Sequence, residues 1–128
     1  MPVGRRGLTG CALAAVAAAA VAVPAIGGAT EDRRATPVVT VADDYFAPVD
    51  VSVKKNSKVK WVWDGDNLDT HDVVLTSKHP DGVKANDFRS SSGAIGITFA
   101  PKFKVPGQYE FVCTYHKTVM RMNVKVKK

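Results

Sequence analysis

The chain has 128 residues and carries 18 Lys and Arg against 12 Asp and Glu, for a net charge of +6. That length suits one domain plus a short accessory segment. The positive residues are scattered singly, and without a dense basic tract the charge gives no support to a nucleic-acid role.

The first segment reads as an address. Met1–Arg6 carries two arginines, and Leu8 to Val23 is uncharged and almost wholly Ala, Val and Leu. Small residues, Ala25, Gly27, Gly28 and Ala29, follow Pro24. A charged start, an apolar middle and a small-residue end make a secretory signal peptide over 1–29, cut near Ala25 or Ala29. The run falls short of the roughly 20 apolar residues of a spanning helix, which makes a retained anchor the weaker alternative. Leu8-Thr9-Gly10-Cys11 resembles a lipidation box but precedes the apolar run instead of following it. Arg5-Arg6 matches a twin-arginine signal only in part. The mature domain is therefore expected in the periplasm, at the cell surface or outside the cell, with no membrane insertion of its own.

Removing 1–29 leaves about 100 residues, enough for one modest core. It also removes Cys11, so Cys113 is the one cysteine of the mature chain. Exported proteins meet oxidising conditions in which cysteines usually pair. A lone cysteine there suggests intermolecular pairing, a reactive thiol or a metal ligand.

Residues 30–37 are charged and read as a flexible lead-in. From Val38 to the end at residue 128 the pattern has period two. Val49, Val51 and Val53 alternate with Asp50, Ser52 and Lys54; Val59, Trp61 and Trp63 alternate with Lys60 and Val62; Val124 and Val126 alternate with Lys125 and Lys127. Tyr109 and Phe111 lie in another such run. This alternation predicts strands with one buried and one solvated face. Turn signals separate them at Ala47-Pro48, Lys55-Asn56-Ser57, Asp64-Gly65-Asp66-Asn67, Pro80-Asp81-Gly82 and Pro106-Gly107. Asn56 is among the few non-glycine types that tolerate positive φ. Ser90-Ser91-Ser92-Gly93 reads as a loop. No helical period is sustained, so the fold class is all-β, a sandwich or small barrel.

The chemistry concentrates near the C-terminus. Phe111-Val112-Cys113-Thr114-Tyr115-His116-Lys117-Thr118-Val119-Met120 brings a thiolate, an imidazole and a thioether within eight residues, where a strand ends and a loop begins. A second imidazole, His71, stands about forty residues upstream, ahead of Val73-Val74-Leu75. Thiolate and thioether are soft ligands that favour copper, and imidazole suits both copper states. Two His and one Cys with a weak axial Met make a blue-copper electron-transfer site. The metal ligands expected are His71, Cys113, His116 and Met120. Met122 competes for the axial place, although its alternation with Val124 and Val126 favours the core. His79, beside Pro80, reads as surface. Zinc accepts His and Cys, but Met does not favour it. A Cys/His nucleophile pair finds no residue evidently placed to orient the base, and a Cys-x-x-Cys redox pair is absent.

The stretch Pro106-Gly107-Gln108-Tyr109-Glu110-Phe111-Val112-Cys113-Thr114-Tyr115-His116 closely resembles the plastocyanin, amicyanin and pseudoazurin group of cupredoxins. Tyr45-Phe46-Ala47-Pro48, Val59-Lys60-Trp61 and Thr70-His71-Asp72-Val73 resemble the group's earlier segments, in the right order. The resemblance implies a Greek-key sandwich of about eight strands over 38–128, with one type-1 copper ion at one end. His71, Cys113 and His116 would be equatorial and Met120 axial. It further implies a single-electron carrier, not an enzyme, that serves redox partner proteins, and the protein is expected to be a monomer. The His116 edge would be the electron exit, and Lys117 and Arg121 beside it would suit a partner with an acidic surface. The alternative is a copper-handling protein with the same ligands. Asp72 stands where relatives often have Asn. It is expected to accept hydrogen bonds from the Thr114 region and so to fix the cysteine loop. Trp63 stands where a polar residue is common, and the sequence offers no account of it.

Overall fold

A computed structural model of the protein describes residues 35–128. The expected signal peptide over 1–29 and the first part of the lead-in lie outside the described residues. Ten short strands follow one another: β1 (Val38–Ala42), β2 (Tyr45–Ala47), β3 (Asp50–Lys54), β4 (Ser57–Lys58), β5 (Lys60–Trp63), β6 (Val74–Leu75), β7 (Thr98–Phe99), β8 (Lys102–Phe103), β9 (Gly107–Val112) and β10 (Arg121–Lys127). One 3-10 turn, Ala85–Asp87, is the only helical element among the described residues, and none there is long and apolar enough to cross a membrane.

Eight of the strands form two sheets, in the orders β2-β1-β5-β7 and β3-β10-β9-β6, and β4 and β8 pair separately. Both sheets are mixed: β1 runs parallel to β5, and β10 runs parallel to β3 and antiparallel to β9. The period-two pattern explains how they close on each other. In β10, Met122, Val124 and Val126 turn inward, while Arg121, Asn123, Lys125 and Lys127 stay exposed. In register beside them, Val51 pairs with Val124 and Val53 with Val126. The opposite sheet contributes Val39, Val41, Phe46, Trp61 and Trp63 to the same core cluster. Burial of apolar area at ~25 cal/mol per Å² is what drives the two faces together. The expected eight-stranded sandwich thus corresponds to the two sheets, with the β4–β8 pair as an addition. Val49, read in sequence as part of the β3 alternation, precedes that strand and is 52% exposed.

Two local features set the frame. Asn56 has φ +69° in the turn before β4, as its type allows. Gly107 has φ +141°, and a Cβ there would overlap the Pro80 ring, so the first residue of β9 has to be glycine. Two residues on, the Tyr109 hydroxyl donates to the Val105 carbonyl at 2.5 Å, tying the strand to its approach. A tyrosine bonded back in this way is a recurrent corner device of β-sandwiches. The strand it anchors runs through Phe111 to Cys113.

Candidate metal centre

Strand β9 ends at Val112, and β10 begins at Arg121, paired with it. The eight intervening residues therefore form a hairpin loop whose two ends are fixed by the sheet. Inside it, the Cys113 N–H donates to the Met120 carbonyl at 3.1 Å. The His116 N–H donates to the Cys113 carbonyl at 3.1 Å, and the Met120 N–H to the His116 carbonyl at 3.0 Å. These backbone bonds fold the loop on itself. They bring Cys113 Sγ to 3.6 Å from His116 Nδ1.

His71 reaches the same point from the other side. Its backbone exchanges two hydrogen bonds with Gly93, at 2.9 and 3.1 Å. The Ser90–Gly93 stretch, read as a plain loop, is therefore the ledge on which His71 rests, and Ser90 Oγ accepts from the Val73 N–H at 2.8 Å. The indole N–H of Trp63 donates to the carbonyls of His71, at 3.3 Å, and Gly93, at 3.1 Å. Trp63 thereby gains a structural role that its sequence position did not suggest. The buried Asn67 side chain closes the same region by donating to the carbonyls of Val41 and Ala94. So held, His71 is fully buried, and its Nδ1 lies 3.9 Å from Cys113 Sγ.

Asp43 fixes the ring of His71. Its Oδ1 lies 2.8 Å from His71 Nε2, and the carboxylate also accepts the N–H groups of Leu68 and Asp69. The bond to His71 is the chief reason the Asp43 carboxyl is held below its usual range, with the Leu68 N–H next. A carboxylate on one ring nitrogen places the proton there and leaves the other nitrogen's lone pair free for a metal. Asp43 lies 28 residues before His71 in a turn, and nothing in the local sequence marks it.

Asp72 does what its position suggested. Its two oxygens accept the Thr114 N–H at 2.6 Å and the Thr114 hydroxyl at 2.5 Å. The residue beside one histidine thus pins the residue beside the cysteine. Cys113 itself is fully buried and unpaired. Burial pushes its thiol pKa up, and neighbouring backbone N–H groups oppose that in part.

The donor atoms of His71, Cys113 and His116 all lie within 4.8 Å of one another. Metal–N and metal–S bonds of roughly 2.0–2.3 Å at about 120° put such donors about 3.7 Å apart, and the two N–S separations at Cys113, 3.6 and 3.9 Å, bracket that value. The residues present therefore fit a trigonal ion. Met120 is fully buried at the end of the same loop. Met122 is also buried, but its sulfur accepts the Trp61 indole N–H at 3.1 Å, which turns it to the core. His79 is not drawn in; its Nδ1 sits 2.9 Å from the Pro80 carbonyl. His116 keeps 22% of its side chain exposed, with Asp44 at 3.6 Å and Asp69 at 3.9 Å from Nε2. Arg121 is occupied with Glu110 at 2.8 Å and with the Lys117 carbonyl.

Comparison with known proteins agrees with this geometry. The family model of copper binding proteins, plastocyanin/azurin family, matches residues 38–127. The chain belongs to that family. Copper is accordingly its cofactor, and the family places it among the cupredoxins, copper proteins of the electron-carrier type. Among solved structures it is similar to amicyanin from Paracoccus versutus, at 25% identity and a TM-score of 0.60, covering 72% of this chain and 81% of that one. It is similar also to a purple cupredoxin from Nitrosopumilus maritimus, at 16% identity and 0.56, covering 71% and 99%. A Cu-containing nitrite reductase from Thermus scotoductus SA-01 matches at 21% identity and 0.61, over 73% of this chain. The chain spans only 23% of the reductase's length. No curated protein sequence matches significantly.

Proposed function

We propose that the protein is an exported single-electron carrier that holds one type-1 copper ion through His71, Cys113, His116 and Met120. The observation that carries this reading is the convergence of two imidazole nitrogens and a thiolate sulfur in a buried pocket, with a part-exposed edge at His116 alone. Bound copper supplies a Cu(I)/Cu(II) couple. The chain's own residues hold its donors still. Asp43 and the Trp63–Gly93 ledge keep His71 in one orientation, and Asp72 keeps the cysteine loop closed. The Met120 assignment draws support from Met122, whose sulfur is committed to Trp61. The His116 ring edge is the one ligand surface open to a partner, so electrons enter and leave there. A carrier role fits this better than an enzyme role, since the nitrite reductase likeness covers only a quarter of that larger protein. The charged start and apolar run of 1–29 support export. Recovery of the chain from the periplasm or medium, starting near residue 26 or 30, is the expected result of N-terminal sequencing.

The deciding experiment is addition of Cu(II) to the purified domain, followed by visible and EPR spectra. An intense thiolate-to-copper band with narrow copper hyperfine splitting is expected. A colourless, ordinary tetragonal spectrum would remove Cys113 from the oxidised site and put copper handling ahead.

A further inference from the structure

We propose that the His116 end of the protein is an acidic-rimmed apolar face that docks redox partners whose cofactor edge is ringed by lysine or arginine. This rests on the electron-carrier reading and reverses the acidic partner expected from Lys117 and Arg121. Residues 35–128 contain fourteen Lys and Arg and ten Asp and Glu, so the described domain is basic as a whole. The charge is not spread evenly. Five of the ten acids, Asp43, Asp44, Asp64, Asp66 and Asp69, lie exposed or half-buried in the turn after β1 and in residues 64–69, while Asp72 is buried against Thr114. Both segments reach the metal centre: Asp43 binds His71, Asp44 and Asp69 flank His116, and the Asp64 N–H is bonded to Val41 at the end of β1. The ligand loop, residues 113–120, adds one cation, Lys117. Arg121, the other cation nearby, is drawn onto Glu110 at 2.8 Å, a carboxylate it shares with Lys78 at 3.5 Å.

Exposed apolar side chains adjoin these acids in the same segments. Leu68, whose N–H is held by Asp43, is 88% exposed; Tyr115 and Val119, either side of His116, are 56% and 61% exposed. An apolar centre with a charged rim is the usual anatomy of a protein–protein interface. Opposite charge on the partner raises the encounter rate and selects orientation more than it adds raw affinity. The local field, not the net charge, decides which partner is steered to His116, because charges farther than about 8 Å are screened at physiological salt. A domain that is positive overall thus meets its partner through its negative end.

Two readouts on the full chain test this. The first uses inert paramagnetic ions and the 15N-labelled copper(I) protein. Hexaamminechromium(III) is expected to broaden the amide signals of Asp44, Asp69 and Tyr115 first, and hexacyanochromate(III) those of the lysine-bearing strands. The second oxidises the copper(I) protein by one electron, either with tris(phenanthroline)cobalt(III), which becomes cobalt(II), or with hexacyanoferrate(III), which becomes iron(II). At low salt, Asp44→Asn with Asp69→Asn is expected to slow the cationic oxidant about five-fold and to quicken the anionic one. Asp81→Asn, in the turn that packs at the far end of β9, should change neither. Localisation of the anion at His116 in a blue protein, or unchanged rates in the double variant, overturns the polarity alone. A colourless copper adduct overturns the carrier reading, and the redox partner with it, wherever the chromium ions settle.

Discussion

The two histidines of the centre are held in opposite ways. His71 is fully buried, its ring is gripped by Asp43, and its backbone rests on Gly93 beneath the Trp63 indole. His116 sits in a loop whose backbone folds onto itself, and its outer edge is open. One candidate ligand is built into the sandwich, and the other is built into a loop that the sandwich closes. The difference teaches that rigidity at such a site comes from long-range contacts on one side and from short-range ones on the other. A small change can therefore loosen one side without the other.

The largest effect is expected at the atom both sides share. Cys113→Ser should abolish the blue band altogether, read by visible spectroscopy after Cu(II) addition, because an alcohol does not replace the thiolate. Next comes a direct contrast between the histidines. His116→Gly leaves a gap at the surface, and millimolar imidazole should restore the band. His71→Gly leaves a gap under Trp63 and Asp43, and imidazole should not. Equal rescue of both would erase the distinction drawn between them.

Asp72 joins the two sides through Thr114. Asp72→Ala removes two hydrogen bonds to a carboxylate, each worth ~1.5–3 kcal/mol. Copper affinity should fall, and the denaturation midpoint of the apo-protein with it. Unchanged affinity and reduction potential would show that the cysteine loop holds itself. Asp43→Asn keeps a hydrogen bond to His71 but removes the charge. An imidazole backed by a carboxylate is the better donor to Cu(II). Its loss should weaken Cu(II) relative to Cu(I) by about ten-fold, a rise of about 59 mV by voltammetry. The smallest effect is expected at Trp63→Phe, which removes one N–H shared between two carbonyls. About 1–2 kcal/mol of stability should go in urea titration, with the His116 side untouched and the blue band retained.

The strands and the ligand loop were legible because they are local. Inward Met122, Val124 and Val126 follow from a period of two, and the closeness of Cys113 to His116 from a spacing of three residues. Asp72 was legible too, since it adjoins a ligand. Asp43 was not. It acts on a residue 28 positions later, and an Asp in a turn looks the same whether or not a histidine faces it. The Ser90–Gly93 stretch was read as a loop because serines and a glycine carry no strand pattern, yet its backbone alone supplies the bridge to His71. Arg121 looked like a free cation beside the exit; β9 brings Glu110 across the hairpin to meet it.

The residues read in order were enough for an all-β chain with soft donors, candidates for copper, on one loop and a distant histidine. Alternation and ligand softness are properties of neighbouring residues, and they survive without a fold. The tertiary structure alone fixed which carboxylate orients His71, which indole supports it, what holds the Met122 sulfur, and what charge surrounds the exposed ring. Those depend on residues that are far apart in the chain and become neighbours only when the two sheets close over a common core.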